Sequence, residues 1–217
     1  MSAADFIFWG AKGHALVLAE IVRHQGGNIL GLFDCVPVPQ IVLPDVEFFV
    51  GFVGYQAWIK RHGDIGSVNA IAAIGGARGK DRRDFLEIFR SSGFKTPALL
   101  HHSAVVSPSA TIGENSHILA GTTIAPKVEI GDACIINTNA SVDHECVLAP
   151  GVHVAPGTTL CGCVRIGENT LVGAGSVVLP RVKIGANVVI GAGSVVTRDV
   201  PDRTLVFGNP ARIVRSL

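Results

Sequence analysis

Ile166-Gly-Glu-Asn-Thr-Leu-Val-Gly-Ala-Gly-Ser-Val-Val-Leu-Pro-Arg-Val-Lys-Ile-Gly185 is the stretch that decides how this chain folds. Val172, Val178 and Ile184 follow Ile166 at steps of six. Stepping by six from Val106 lands on Ile112, Ile118, Ile124, Ile130, Ile136, Val142, Leu148, Val154, Leu160, Ile166, Val172, Val178, Ile184, Ile190 and Val196, aliphatic every time. That is sixteen hexads without an insertion. Two positions before each aliphatic stands a small or β-branched residue, from Ala104 and Ala110 to Val188 and Ser194. The position after it is often glycine: Gly113, Gly131, Gly167, Gly173, Gly185 and Gly191. A period of two would describe an ordinary strand, whereas a period of six requires a short strand and a sharp corner in every unit. The aliphatic is expected inside a prism, the small residue near its corner, and the glycine to relieve the turn. Three hexads complete one coil, so residues eighteen apart stack on one face. The expected fold is a left-handed parallel β-helix.

Residues 1–100 follow a different pattern. Asp5-Phe-Ile-Phe-Trp9 reads as a buried strand, Gly10 to His14 as a turn, and Ala15 to His24 as a helix with Leu18, Ile21 and Val22 on one face. Gly26-Gly27 stops that helix. Asn28 to Phe33 is a second strand ending at Asp34, and Val68 to Ile74 a third, closed by Gly75-Gly76. A helix is expected over Asp81 to Arg90. Strands alternating with helices predict a small Rossmann-like parallel sheet. The fold class is therefore α/β + β, with domains at 1–100 and 101–217, the second ending in a C-terminal tail. Pro97 to His102 joins them without an obvious flexible linker.

Composition narrows the function classes. Charged residues make up 16% of the 217, against a usual share of about 25%. Such a low share suits surface hidden in an oligomer or covered by backbone-rich repeats. A net charge of +1 gives no argument for nucleic acid or an anionic membrane. No apolar run approaches the roughly 18 residues of a membrane span, and Met1 to Phe8 lacks the basic region of a leader. Five unevenly spread cysteines, Cys35, Cys134, Cys146, Cys161 and Cys163, read as reduced thiols in a cytoplasmic protein rather than a disulfide framework. Cys161-Gly-Cys163 is too close for ordinary zinc spacing, and no metal is expected.

Two places carry chemistry. Gly10-x-x-Gly13 lies between strand and helix, where glycines let the backbone approach a pyrophosphate and the helix N-terminus favours its charge. Asp34 closes the second strand and Gly75 the third at the same edge, and His14 either contacts phosphate or caps the helix. Lys80, Arg82 and Arg83 could reach a phosphate, but read better as a solvated helix face. In the ladder, Asp143-His144-Glu145 breaks the run of small and aliphatic residues. A histidine beside carboxylates suits a general base. His153 follows nine residues later, half a coil, on the opposed side of the prism. The pair therefore cannot share a site within one subunit. In a three-fold ring one subunit presents His144 across a cleft to its neighbour's His153, which predicts a homotrimer with sites between subunits. Cys146 falls on the interior small positions, so no covalent nucleophile accompanies His144.

The ladder, the tail from Thr197 to Arg212, the segment Ile136-Asn-Thr-Asn-Ala-Ser-Val-Asp-His-Glu-Cys146 and the opening Gly10-x-x-Gly-His-Ala15 together resemble a known family. It is that of the bacterial nucleotide-sugar acyltransferases of the sialic-acid O-acetyltransferase and 4-amino-sugar N-acetyltransferase type. The resemblance implies transfer of acetyl from acetyl-CoA, a co-substrate, to the 4-amino group of a nucleotide-linked 4-amino-4,6-dideoxy sugar, for surface polysaccharide or glycan biosynthesis. It implies His144 as base, Glu145 as its support and Asn137 against the sugar. His153 would meet the acetyl-CoA side, and the CoA arm would follow Gly162, Ala174 and Ala192. Gly10, Gly13, His14, Asp34 and Gly75 would hold the nucleotide diphosphate. The alternatives are an O-acetyltransferase of a sialic acid or related sugar and, more remotely, a carbonic-anhydrase-like enzyme with zinc on His117, His144 and His153.

Overall fold

A computed structural model describes residues 3–217; the first two residues of the Met1–Phe8 stretch lie outside the description. Contacts divide the chain into Met1–Gly75 with Asp84–Leu99, and Gly76–Arg83 with Leu100–Leu217. Among the described residues no helix is long and apolar enough to cross a membrane.

The first unit is a four-stranded parallel sheet. Its strands are β1 (Asp5–Trp9), β2 (Asn28–Asp34), β3 (Phe48–Val50) and β4 (Asn69–Ala72), in the order β3-β2-β1-β4. Helices α1 (Gly13–His24) and α2 (Gly51–His62) follow β1 and β3, and α3 (Gly79–Ser92) follows β4. β3 and α2 have no counterpart in the sequence reading. α2 carries two glycines and buries only Tyr55 and Trp58, so its apolar stripe is too thin to stand out. Trp9 stacks on Phe85 at 4.3 Å between centroids, and Phe33, Tyr55 and Phe89 fill the rest of an aromatic core. Burying a large side chain of this kind contributes about 1.5–3 kcal/mol.

The second unit is the left-handed β-helix. Sixteen two-residue strands, from Val105–Val106 to Val195–Val196, recur every six residues. They stack into three parallel sheets whose partners are eighteen apart, as in Glu129↔Val147, Ile135↔His153 and Ser141↔Thr159. The sheet through His117, Ile135, His153, Leu171 and Val189 is extended by the strand Thr204–Gly208, which pairs antiparallel with Ala211–Ser216. Ile118 through Val196 form one continuous core with the small residues Ala140, Cys134 and Cys146 among them.

The glycines do a different job from the one expected. From Ile112 to Ile190 the corner residue with positive φ is the third after each aliphatic, filled by Asn115, Asn139, Asn169 and Asn187, by Gly121, Gly157, Gly175 and Gly193, and even by Lys127 and Arg181. Asparagine tolerates this conformation better than most residues. The glycine directly after the aliphatic is needed for stacking instead: a Cβ at Gly167 would stand 2.5 Å from the amide of Ala186 in the next coil.

Candidate functional site

His144 occupies a corner of the prism, between the strands Ser141–Val142 and Val147–Leu148. Its amide donates to the Asp143 carboxylate at 2.7 Å. Its Nδ1 is 3.3 Å from Glu145 Oε2. A carboxylate only accepts, so this contact places the ring proton on Nδ1 and leaves the lone pair on Nε2. The imidazole lies on Gly162, one coil further on, where a Cβ would be 2.5 Å from Nε2. Cys163 N donates to the His144 carbonyl at 2.9 Å, tying the two coils together. Cys163 Sγ is 3.7 Å from Glu145 Oε2. A groove of about 200 Å³ beside this corner is lined by Ser141, Asp143, Thr159 and Cys161. Cys146 stays out of it: its thiol is buried, donates to the Cys161 carbonyl at 3.1 Å, and is pushed up to about 11 by desolvation.

His153 lies on the sheet facing away from that corner, with Asn137 beside it. It is 7% exposed. Its Nδ1 donates to the Gly76 carbonyl at 3.1 Å, and Asn137 Nδ2 donates to its Nε2 at 3.2 Å. Burial lowers its pKa to about 4, so the ring is neutral at physiological pH. Asn137 Oδ1 accepts the amide of Thr138, which fixes the side-chain amide the other way round. The fold thus joins Asn137 to His153 within the chain and keeps both apart from His144.

Arg82, read as solvated, is fully buried. Its guanidinium donates to the carbonyls of Ala133 and Gly151, one coil apart, at 2.8 Å each, and to Gly76 at 3.3 Å. Arg82 shares a helix face with Phe85, Leu86 and Phe89, at the spacing of a core stripe. That spacing was the available signal, and the charge obscured it. Arg83 pairs with Glu168 at 2.6 Å.

The positions implied for the CoA arm fall on two corners. Gly162 lies under His144 and is buried, whereas Ala174 and Ala192 stack on the next corner along and are exposed. These corners flank the sheet through Ser141, Thr159 and Val177.

In the first unit, Gly10, Gly13, His14, Asp34 and Gly75 gather at the C-terminal edge of the sheet. Gly10 has φ +114°, and a Cβ there would strike the Ala73 carbonyl at 2.3 Å. Ala11 N donates to Asp34 Oδ2 at 3.3 Å. α1 begins at Gly13 with no side-chain cap and no acidic residue in its first turn. A helix N-terminus beside the switch point between β1 and β4 is a feature that binds phosphate groups.

Among the described residues, one group of His, Cys, Asp or Glu donors is close enough to hold a metal: His144, Glu145 and Cys163. His117, His144 and His153 do not converge on a common point.

Fold and site define a hexapeptide-repeat transferase. The family described as bacterial transferase hexapeptide (six repeats) matches residues 163–198. Perosamine N-acetyltransferase from Caulobacter crescentus, solved in complex with CoA and GDP-perosamine, is similar over 99% of each chain, with 33% identity and a TM-score of 0.89. The acetyltransferase domain of PglB from Neisseria gonorrhoeae, solved with acetyl coenzyme A, shares 31% identity over 98% of this chain and 100% of that one, at a TM-score of 0.86. WeeI from Acinetobacter baumannii shares 25% over 96% and 99%, at 0.85. Among curated relatives, serine acetyltransferase 1, chloroplastic, from Arabidopsis thaliana is 39% identical over 101 residues, 42% of this chain and 32% of that protein. The chain spans about a third of the length of the first curated relatives it matches. It belongs to the bacterial nucleotide-sugar acetyltransferases of the hexapeptide superfamily.

Proposed function

We propose that this chain transfers acetyl from acetyl-CoA to the 4-amino group of a nucleotide-linked 4-amino-4,6-dideoxy sugar, with His144 as general base. The observation that carries this reading is the half-exposed His144 ring, its Nδ1 against the Glu145 carboxylate and its Nε2 edge on Gly162, with Nε2 left unprotonated. The amine attacks the thioester carbonyl and loses a proton to Nε2. The tetrahedral adduct collapses, the C–S bond breaks, and the proton passes from the imidazolium to the departing CoA thiolate. Glu145 stabilises the transient positive ring. The inertness of Cys146 favours direct transfer over an acetyl-enzyme.

The nucleotide diphosphate is held by Gly10, Gly13, His14, Asp34 and Gly75. The active unit is a homotrimer in which one protomer's His144 faces the neighbour's Asn137 and His153, and the CoA arm follows Gly162, Ala174 and Ala192 between prisms. His153, neutral and doubly hydrogen-bonded, orders Asn137 rather than moving a proton. Its co-substrates set the reaction in the cytoplasm, as a step toward surface polysaccharide or glycan.

The test is an acetyl-transfer assay with GDP-, UDP- and dTDP-linked 4-amino sugars, alongside sialic acid as a hydroxyl acceptor. His144→Ala should lower turnover by about 10²–10⁴-fold while acetyl-CoA still binds. Near-normal turnover in that variant, or transfer to the hydroxyl acceptor alone, would overturn the reading.

A further inference from the structure

The eighteen-residue stack that puts Gly162 under His144 also puts Cys163 beside Glu145. Three different metal-ligating groups meet there: a ring nitrogen of His144, a carboxylate oxygen of Glu145 and Cys163 Sγ, all within 4.8 Å of one another. The Nδ1–Oε2 distance is 3.3 Å and the Sγ–Oε2 distance 3.7 Å. Zinc bonds of about 2.0–2.3 Å to nitrogen, oxygen and sulfur in tetrahedral geometry set neighbouring donors roughly 3.3–3.6 Å apart. Two of the three edges are therefore close to those of such a site before any ion arrives, and the third, between the imidazole and the thiol, is within 4.8 Å. The scaffold beneath it is well fixed. Cys163 N holds the His144 carbonyl at 2.9 Å, and Glu145 and Cys163 occupy equivalent corners with φ of +58° and +63°. The thiol is free and partly exposed, and the other two side chains are half-exposed, so an ion can reach all three.

We propose that His144, Glu145 and Cys163 capture a thiophilic divalent cation of the zinc class, and that its binding switches off the base. The second half of this inference rests on the acetyl-transfer reading above. Binding replaces the thiol proton of Cys163, which leaves to solvent, with a sulfur–metal bond. The metal also takes the Nδ1 lone pair. A neutral imidazole keeps one proton, so that proton now resides on Nε2. Nε2 then only donates and can no longer accept a proton from the amine. The cation and the reaction compete for the two nitrogens of one ring.

Cobalt(II) is the probe for the site, titrated into the full-length protein without substrates. One ion should bind per chain, with a thiolate-to-cobalt charge-transfer absorption. That absorption should persist in Cys161→Ser and vanish in Cys163→Ser, with affinity at least tenfold weaker. In the acetyl-transfer assay, zinc should inhibit the wild type and EDTA should restore it. Cys163→Ser should keep the basal rate and resist the zinc concentration that halves wild-type turnover. Absence of the absorption from the wild type, or its survival in Cys163→Ser, overturns the site. A normal cobalt spectrum with turnover untouched by zinc overturns the switch. Because the titration contains no acetyl donor or acceptor, a failed transfer assay would count against the proposed reaction and leave the site standing.

Discussion

The imidazole of His144 rests on Gly162, eighteen residues along the chain, with Nε2 where a Cβ on residue 162 would come within 2.5 Å. Gly162 is thus the seat of the ring proposed as the base. Gly162→Ala should push the ring off its seat while leaving the coils intact, since the clash is with the free end of a side chain. The expected result is a loss of turnover of roughly 10²-fold, at the lower end of what a positioned base contributes. KM for the nucleotide sugar should be unchanged. Steady-state kinetics with a thermal melt checks it; a lower melting temperature with normal turnover would contradict the assignment.

His153 makes a prediction about pH. Its pKa is lowered to about 4 by burial, below the ordinary histidine value of about 6.5. The unfolded chain therefore binds more protons than the folded one between these values, and stability rises with pH across that window. The contribution of the neutral ring is fully present above pH ~6.5 and is lost as pH falls toward 4. The shift corresponds to on the order of 3 kcal/mol. Denaturant melts of wild type and His153→Gln from pH 4 to 7 should differ in slope, the variant being flatter.

Arg82 makes a prediction about stability. Arg82→Ala removes the donor to the carbonyls of Ala133, Gly151 and Gly76 at once. An unsatisfied buried carbonyl costs about 1–3 kcal/mol, so the variant should lose several kcal/mol. Arg82→Lys should recover only part, because an ammonium lacks the planar fork that reaches successive coils. Chemical denaturation of the three proteins would show the order.

Two nearby glycines separate stacking from turning. A Cβ at Gly173 would stand 2.6 Å from both Ala192 N and Ile190 O, whereas Gly175, at φ +66°, has nothing within 4 Å. Gly173→Ala should cost about 1–3 kcal/mol through backbone displacement. Gly175→Asn should cost less than about 1 kcal/mol, since Asn139 already holds the same corner two coils earlier. Equal losses in the two melts would refute the division of labour.

The β-helix was legible because its signal is arithmetic: an aliphatic every six residues survives any choice of residue between. The roles of its glycines were not, since composition cannot say which of two glycines in a hexad has positive φ and which lies against the next coil. His144 and Glu145 stood out as polar residues on an apolar ladder. Cys163, and the seat that Gly162 gives the His144 ring, became meaningful only as members of the same stack, eighteen further on, although the period itself contained that information. Arg82 was hidden by its charge. Its partners are backbone carbonyls, and a carbonyl leaves no mark in a sequence. The Asn137–His153–Gly76 chain was hidden for the same reason at Gly76, while its two side chains could be listed but not joined.

The run of sixteen hexads without an insertion makes the prism a ruler graduated in residues. Every lateral address is a remainder after division by eighteen. One residue gained or lost between Val106 and Val196 would turn every later side chain away from its rung, and six would carry it to the neighbouring face. Length change in this stretch is therefore quantised, and only whole coils can be added without disturbing the register between His144 and the glycine beneath it.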